Sequence, residues 1–201
     1  MGTTTNNGWP TPVATDLVKD GWEAIKDLGD AIDTTLGVYA PSTPGLTLIN
    51  TTSFSGVASQ SVNNVFTSTF RNYRIFINAK HTADADITVR LRAAGTDLTS
   101  NSYYRGRYYV GVTSSLAAGN DNNGLDTSWG TTSIGTMAGE IIMDIANPQT
   151  SEVTTALTMA TGRYFIILGH SLNNITTSYD GFSVISSGTM TGSVSVYGYN
   201  L

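Results

Sequence analysis

The chain has 201 residues and no cysteine, and its charged fraction is only 12% against a hydrophobic fraction of 40%. A net charge of −5 and a pI near 4.7 argue against a nucleic-acid partner, which asks for a basic footprint, and the lack of cysteine excludes disulfide frameworks and thiolate metal sites. No run of about 18 apolar residues is present, so no membrane insertion is expected, and MGTTTNNGWP lacks the cationic start and apolar segment of a secretion signal.

Residues 1–15 are rich in Gly, Asn and Thr and are broken by Pro10 and Pro12. So little apolar area cannot order a segment by itself, and an extended arm is expected, with Trp9 as its one large anchor. Residues 16–37 are the only stretch with helical periodicity. Val18, Trp22, Ile25, Ile32 and Leu36 recur at intervals of three and four, with Gly29 at the missing step and Leu28 beside it, which makes one apolar stripe. Asp20 and Glu23 have capping-box spacing and favour a start at or near Asp20. Gly37 stands where a C′ glycine would stop the helix. Short helices are stabilised mainly by packing, so the stripe needs a partner. The chain's own β-region is one; copies of the same helix about a symmetry axis are the other, since Ile25 and Ile32 are a heptad apart. Residues 38–45, VYAPSTPG, read as a linker.

From Leu46 onward the period changes to two. Leu46 and Leu48, then Val57 to Phe66, suggest an opening pair of strands. Tyr73, Ile75 and Ile77 alternate with Arg74 and Phe76, and Ile87, Val89 and Leu91 with Thr88, Arg90 and Arg92, joined by a polar turn at His81–Asp84. An aromatic strand at Tyr103–Val112 leads into a long loop, Ser114–Gly135, that carries Trp129. Glu140–Ile145, Val153–Met159, Arg163–Leu168, Phe182–Ile185 and Met190–Tyr199 complete the set. In the last of these Met190, Gly192, Val194, Val196 and Gly198 face inward, and Tyr197 and Tyr199 face an edge or a subunit contact. Short strands with turn signals between them make residues 46–201 an antiparallel β-sandwich, jelly-roll-like in its expected version. The whole is mainly β, with one N-terminal α-helix and an extended N-terminal arm.

Few residues promise chemistry. Gly169–Asn173, GHSLN, has the outline of a nucleophile elbow, but Asn173 stands where that motif has glycine and no histidine follows His170 to act as base. Ser171 is therefore not expected to be catalytic. His81 with Asp84 and Asp86 has metal-ligand character, which turn residues explain equally well. Asp121–Asp126 has the oxygen-rich look of part of a calcium loop but lacks its terminal Glu. No metal site and no cofactor is expected. The densest cluster is Tyr103–Tyr109, YYRGRYY, which in a strand projects Tyr104 and Tyr108 to one face and Arg105, Arg107 and Tyr109 to the other. Two uses fit. One is a host-cell glycan, with rings stacked on sugar and arginine forks on carboxylate or phosphate. The other is a subunit contact shared with Tyr197, since Tyr and Arg are also enriched at interfaces.

Phe66–Ile77 (FTSTFRNYRIFI), Val89–Asp97 (VRLRAAGTD) with Tyr103 and Tyr104 after it, and Gly188–Tyr199 (GTMTGSVSVYGY) resemble β-sandwich domains of tailed-bacteriophage structural proteins, of tail-fibre or virion type. Thr15–Asp33 is similar to the attachment segment of phage fibre proteins. The resemblance implies a non-enzymatic virion component, a homotrimeric tail or head fibre, with a host-surface carbohydrate-binding module or a capsid decoration protein as alternatives. It further implies that the N-terminus, through Trp9, Trp22, Ile25 and Ile32, docks onto a virion protein of the tail, collar or capsid.

Overall fold

The computed structural model describes all residues except 1, 6–7, 12, 14–17, 40–44, 112–115, 135–138, 163–164 and 201. The predicted helix start at Asp16, most of the predicted linker and the predicted strand start at Arg163 therefore lie outside the described residues. The chain divides into two compact units, Met1–Pro44 and Gly45–Leu201.

In the first unit, β1 (Gly2–Thr3) pairs antiparallel with β2 (Pro10–Thr11). Thr4 N donates to Trp9 O at 2.8 Å and Gly8 N to Thr4 O at 3.0 Å, with Gly8 at a left-handed φ of 65°. A 3₁₀ turn at Val18–Asp20 leads into α1 (Gly21–Tyr39), which starts one residue after Asp20, where the capping-box spacing puts it. The helix runs through Gly37 instead of stopping there, because a glycine ends a helix only when the chain takes up the left-handed conformation that glycine merely permits. Trp9 Nε1 donates to Thr35 Oγ1 at 3.1 Å. The arm thus meets α1 at Thr35, on the side of the helix that also carries Ala24, Leu28 and Ala31, with Ala24 buried. The predicted stripe lies on the order of 100° around the axis from that side. Its members Val18, Trp22 and Ile25 are exposed, Ile25 and Trp22 both at 67%, and Ile32 is half-buried.

The second unit holds β3 (Gly45–Val62), β4 (Asn72–His81), β5 (Ala85–Ala93), β6 (Thr96–Asp97), β7 (Tyr103–Gly111), β8 (Ala117–Asp126), β9 (Trp129–Ile134), β10 (Gly139–Ala146), β11 (Thr154–Thr161), β12 (Phe165–Asn173) and β13 (Gly181–Asn200). They form one curled antiparallel sheet in the order β6-β5-β13-β4-β10-β11-β12-β7-β8, with β3 on β13 and β9 on β5. β13 is the strand that curls it. Its residues 181–186 pair with β5, its residues 190–198 pair with β4, and β3 follows its other edge throughout. Changing neighbours midway turns the β5–β9 part of the sheet back over the rest, and the enclosed side is the core. Tyr73, Ile75 and Ile77 of β4, Val89 and Leu91 of β5, Ile141 and Met143 of β10 and Val194 and Val196 of β13 all reach zero exposure there.

Three expectations are corrected. The opening pair of strands is a single strand, β3, which absorbs its irregularity by register slips beside Gly56, at φ 64°. Phe182–Ile185 and Met190–Tyr199 are likewise parts of β13, and Tyr197 and Tyr199 are not at an edge, because β13 lies between β3 and β4. The long loop Ser114–Gly135 contains β8 and β9, and Trp129 is fully buried, donating from Nε1 to Leu172 O at 3.1 Å and meeting the Tyr103 ring edge-on at 5.7 Å. Polar, glycine-rich composition gave a turn signal there, but pairing with β7 and β5 satisfies the backbone and overrides local preference. At Gly192, a Cβ would overlap the backbone oxygen of Asn78, so this close strand approach admits only glycine.

Candidate functional site

The antiparallel register lines side chains up across the outer face of the sheet. One line is Phe76, Ile142, Met159, Leu168, Tyr108 and Ala118, contributed in turn by β4, β10, β11, β12, β7 and β8. All six are apolar or aromatic, and Tyr108, Leu168 and Met159 are 59%, 54% and 46% exposed. Ile166 and Val110 face each other in the next line, and Leu157 stands on the other side; all three are exposed too. The exposed parts of these side chains sum to roughly 600 Å², the upper end for the largest patch on a monomer.

Beside this line runs a second: Leu48, Tyr197, Arg74, Asp144, Leu157, His170 and Gly106. Its middle is polar. Arg74 donates from Nε to Asp144 Oδ1 at 2.7 Å and from its terminal nitrogen to Oδ2 at 2.6 Å, Tyr199 OH donates to Asp144 Oδ1 at 2.7 Å, and the guanidinium lies 5.6 Å from the Tyr199 ring centre. Burial alone would raise the Asp144 carboxyl; hydrogen bonds from Arg74 and Tyr199 and the Arg74 charge outweigh it and hold the group below the usual carboxylate range. Burial, and the hydrogen bond given to Asp144, push the Tyr199 hydroxyl up. A carboxylate with a depressed native pKa contributes stability above its unfolded pKa, about 3.9, and loses it as pH falls through the native value. Asp144→Asn is therefore expected to lower the melting temperature slightly at pH 7, the pair being a third exposed and screened. The gap from wild type should close in acid as Asp144 protonates. Melts from pH 7 to pH 2 check this; a gap unchanged in acid would mean that the charge plays no part.

Where the second line reaches β7, Gly106 has no side chain, and a trough of about 500 Å³ opens between Tyr108, Leu157, Leu168 and His170, with Arg107 also lining it.

Of the residues singled out in the sequence, Tyr104 and Tyr108 share this outer face as expected, with Tyr108 the more exposed and the Tyr104 hydroxyl accepting from Asn174 Nδ2 at 3.3 Å. Arg105 lies on the other side of β7, 3.7 Å from Asp126 Oδ2, so it cannot clasp a ligand stacked on either ring. Arg107 crosses toward β8, where its Nε would stand 3.5 Å from a Cβ on Gly119. Tyr197 belongs to the same face but packs edge-on against Phe76 at 5.6 Å. It is five strand spacings from Tyr108, roughly 24 Å, so the tyrosines mark two ends of a face and not one pocket. Trp9, Trp22, Ile25 and Ile32 are all in the first unit, where the Trp9 indole is engaged by Thr35.

Leu157, Met159, Ile166 and Leu168 were not recognised from sequence. Their strands carry apolar residues on both faces, and in β11 the small residues Ala156, Thr158 and Ala160 point inward while Leu157 and Met159 point out. That inversion was the available signal. The hydrolase reading fails structurally as well. Ser171 is buried on the inner side of β12, and His170 faces outward. GHSLN forms the last five residues of β12, where the strand ends. His81 is buried, its Nε2 2.7 Å from Ser186 Oγ, and among the described residues no three His, Asp or Glu side chains gather as a metal site.

No family model matches the chain, and neither does any curated protein. Among solved structures, the CBM2 module of the evolved Dit of Lactobacillus casei BL23 phage J-1 is 12% identical over 71% of this chain and 69% of its own, with a TM-score of 0.33. Galectin LEC-6 of Caenorhabditis elegans is 10% identical over 76% of this chain and 99% of its own, with a TM-score of 0.35. Peanut lectin is 8% identical over 78% and 94%, at 0.24. Likenesses this distant carry nothing about what the chain binds.

Proposed function

We propose that the chain is a non-enzymatic structural component of a bacteriophage virion that works as a homotrimer, as an element of a tail or head fibre. The observation that carries this reading is the apolar line from Phe76 to Ala118. An exposed apolar patch at the upper end of the range that monomers carry is a common mark of an interaction surface, and its tyrosine and methionine are residue types enriched at such surfaces. The sequence resemblance supplies the particle. The exposed Val18 of the 3₁₀ turn and Trp22 and Ile25 of α1 support an N-terminal unit that docks on another virion protein. Light scattering at micromolar concentration tests the reading: the full chain and a chain beginning at Gly45 are both expected to be trimers, and the shorter one is expected to fail to enter particles. A monomeric full chain overturns it.

A second reading, host-surface glycan binding, is favoured by the Tyr108 ring at the trough beside His170. Saturable binding on a glycan array that Tyr108→Ala abolishes would establish it.

A further inference from the structure

Granting the trimeric reading, on which this step rests, three copies about an axis cannot meet through one self-complementary patch. Closed threefold assemblies use two different surfaces, one from each neighbour. The outer face offers two apolar ends separated by the Arg74–Asp144–Tyr199 cluster. One end is the Leu168 patch on β7, β11 and β12. The other is on β3 and β13, where Leu46 pairs with Tyr199 and Leu48 with Tyr197, the leucines being 38% and 55% exposed.

β3 carries a second, independent mark. It pairs only with β13, so its other edge has no strand partner among the described residues, yet its 18 residues, GLTLINTTSFSGVASQSV, include no charge and no proline. Free edges of this length are ordinarily guarded by lysine, proline or a cover, because their unpaired N–H and C=O groups recruit other chains. Gly56 bends this edge but does not charge it.

We infer that the β3 end of each copy is covered by the Leu168 end of the next, a second copy of this chain being the occupant of both. The Leu168 patch alone, roughly 600 Å², falls short of the ~800 Å² per partner of a stable contact. The uncharged β3 edge of the next copy supplies the complementary surface, residues flanking the Leu168 patch supply the remainder on its own side, and the β3 end brings no charge that would have to be desolvated.

The absence of native cysteine makes the test clean. Leu48→Cys, Leu168→Cys and the double variant are treated, as full chains, with a short bis-maleimide and run on a denaturing gel, with light scattering on untreated samples. The expected result is covalent trimer from the double variant and no cross-linked species from either single variant. Leu46→Cys combined with Met159→Cys should behave like the first pair, which guards against one unfavourable geometry. Dimers from Leu168→Cys alone would show that like ends meet and would overturn the inference. So would samples that scatter as trimers while neither double variant cross-links, and in that case the trimer itself stands. Samples that scatter as monomers overturn the underlying reading instead.

Discussion

Trp129→Ala is expected to destabilise the β-domain by about 3–5 kcal/mol, the usual cost of emptying a fully buried large aromatic site, and to lower its melting temperature by roughly 10 °C or more in a domain of this size. Three losses combine: the volume of an indole at zero exposure, the edge-on contact with Tyr103, and the donor to Leu172 O. Trp129→Phe should recover most of the packing and lose only the hydrogen bond from Nε1, a cost of about 0.5–1.5 kcal/mol. Thermal denaturation followed by circular dichroism orders the three proteins. An alanine variant that melts with the wild type would place Trp129 on the surface and remove β9 from the core.

Leu168→Asp should act on assembly and leave the fold alone. In an isolated domain the side chain is half in water, and surface substitutions of this kind stay within about ±0.5 kcal/mol. In a trimer the same carboxylate would be enclosed among Met159, Tyr108 and the neighbour's apolar end. An unpaired buried charge costs about 3–5 kcal/mol, which weakens association by roughly 100-fold or more. A folded monomer at micromolar concentration is the expected result, with an unchanged melting profile once oligomer dissociation is allowed for. Leu168→Ala should weaken the trimer less. A Leu168→Asp protein that remains trimeric would move the contact off this face.

The legible strands were those whose two sides differ. β4 and β5 place Ile75, Ile77, Val89 and Leu91 inward against Arg74, Arg90 and Arg92 outward, and a period of two cannot be mistaken there. β8 and β9 were illegible because glycine, asparagine and serine specify turns only when no neighbouring strand claims their backbone, and a single chain does not display its neighbours. β11 was legible as a strand and misleading as a surface. β9 packs against β11 and β12, and the Trp129 indole in that core leaves room for Ala156 and Ala160, so the larger Leu157 and Met159 stand outside. Hydrophobic alternation reports which residues differ from their neighbours and leaves open which of them is inside. The helix shows the same limit: its apolar stripe was visible, while Trp9 is received at Thr35, a polar residue that no hydrophobicity count would choose.

β13 also sets an order of events. It touches β3, β4 and β5 at once, and among the described residues the other strands of its unit precede it. During synthesis the earlier strands emerge from the ribosome before the strand that joins them exists, so β3 must wait with its backbone bare for a partner more than a hundred residues downstream. Contacts of such separation are slow to form. A chain released before Gly181 has been added would keep every inward-facing residue of β4 and β5 but lack the strand that pairs with both, and the edges of β3, β4 and β5 that β13 occupies would stand open to proteases and chaperones.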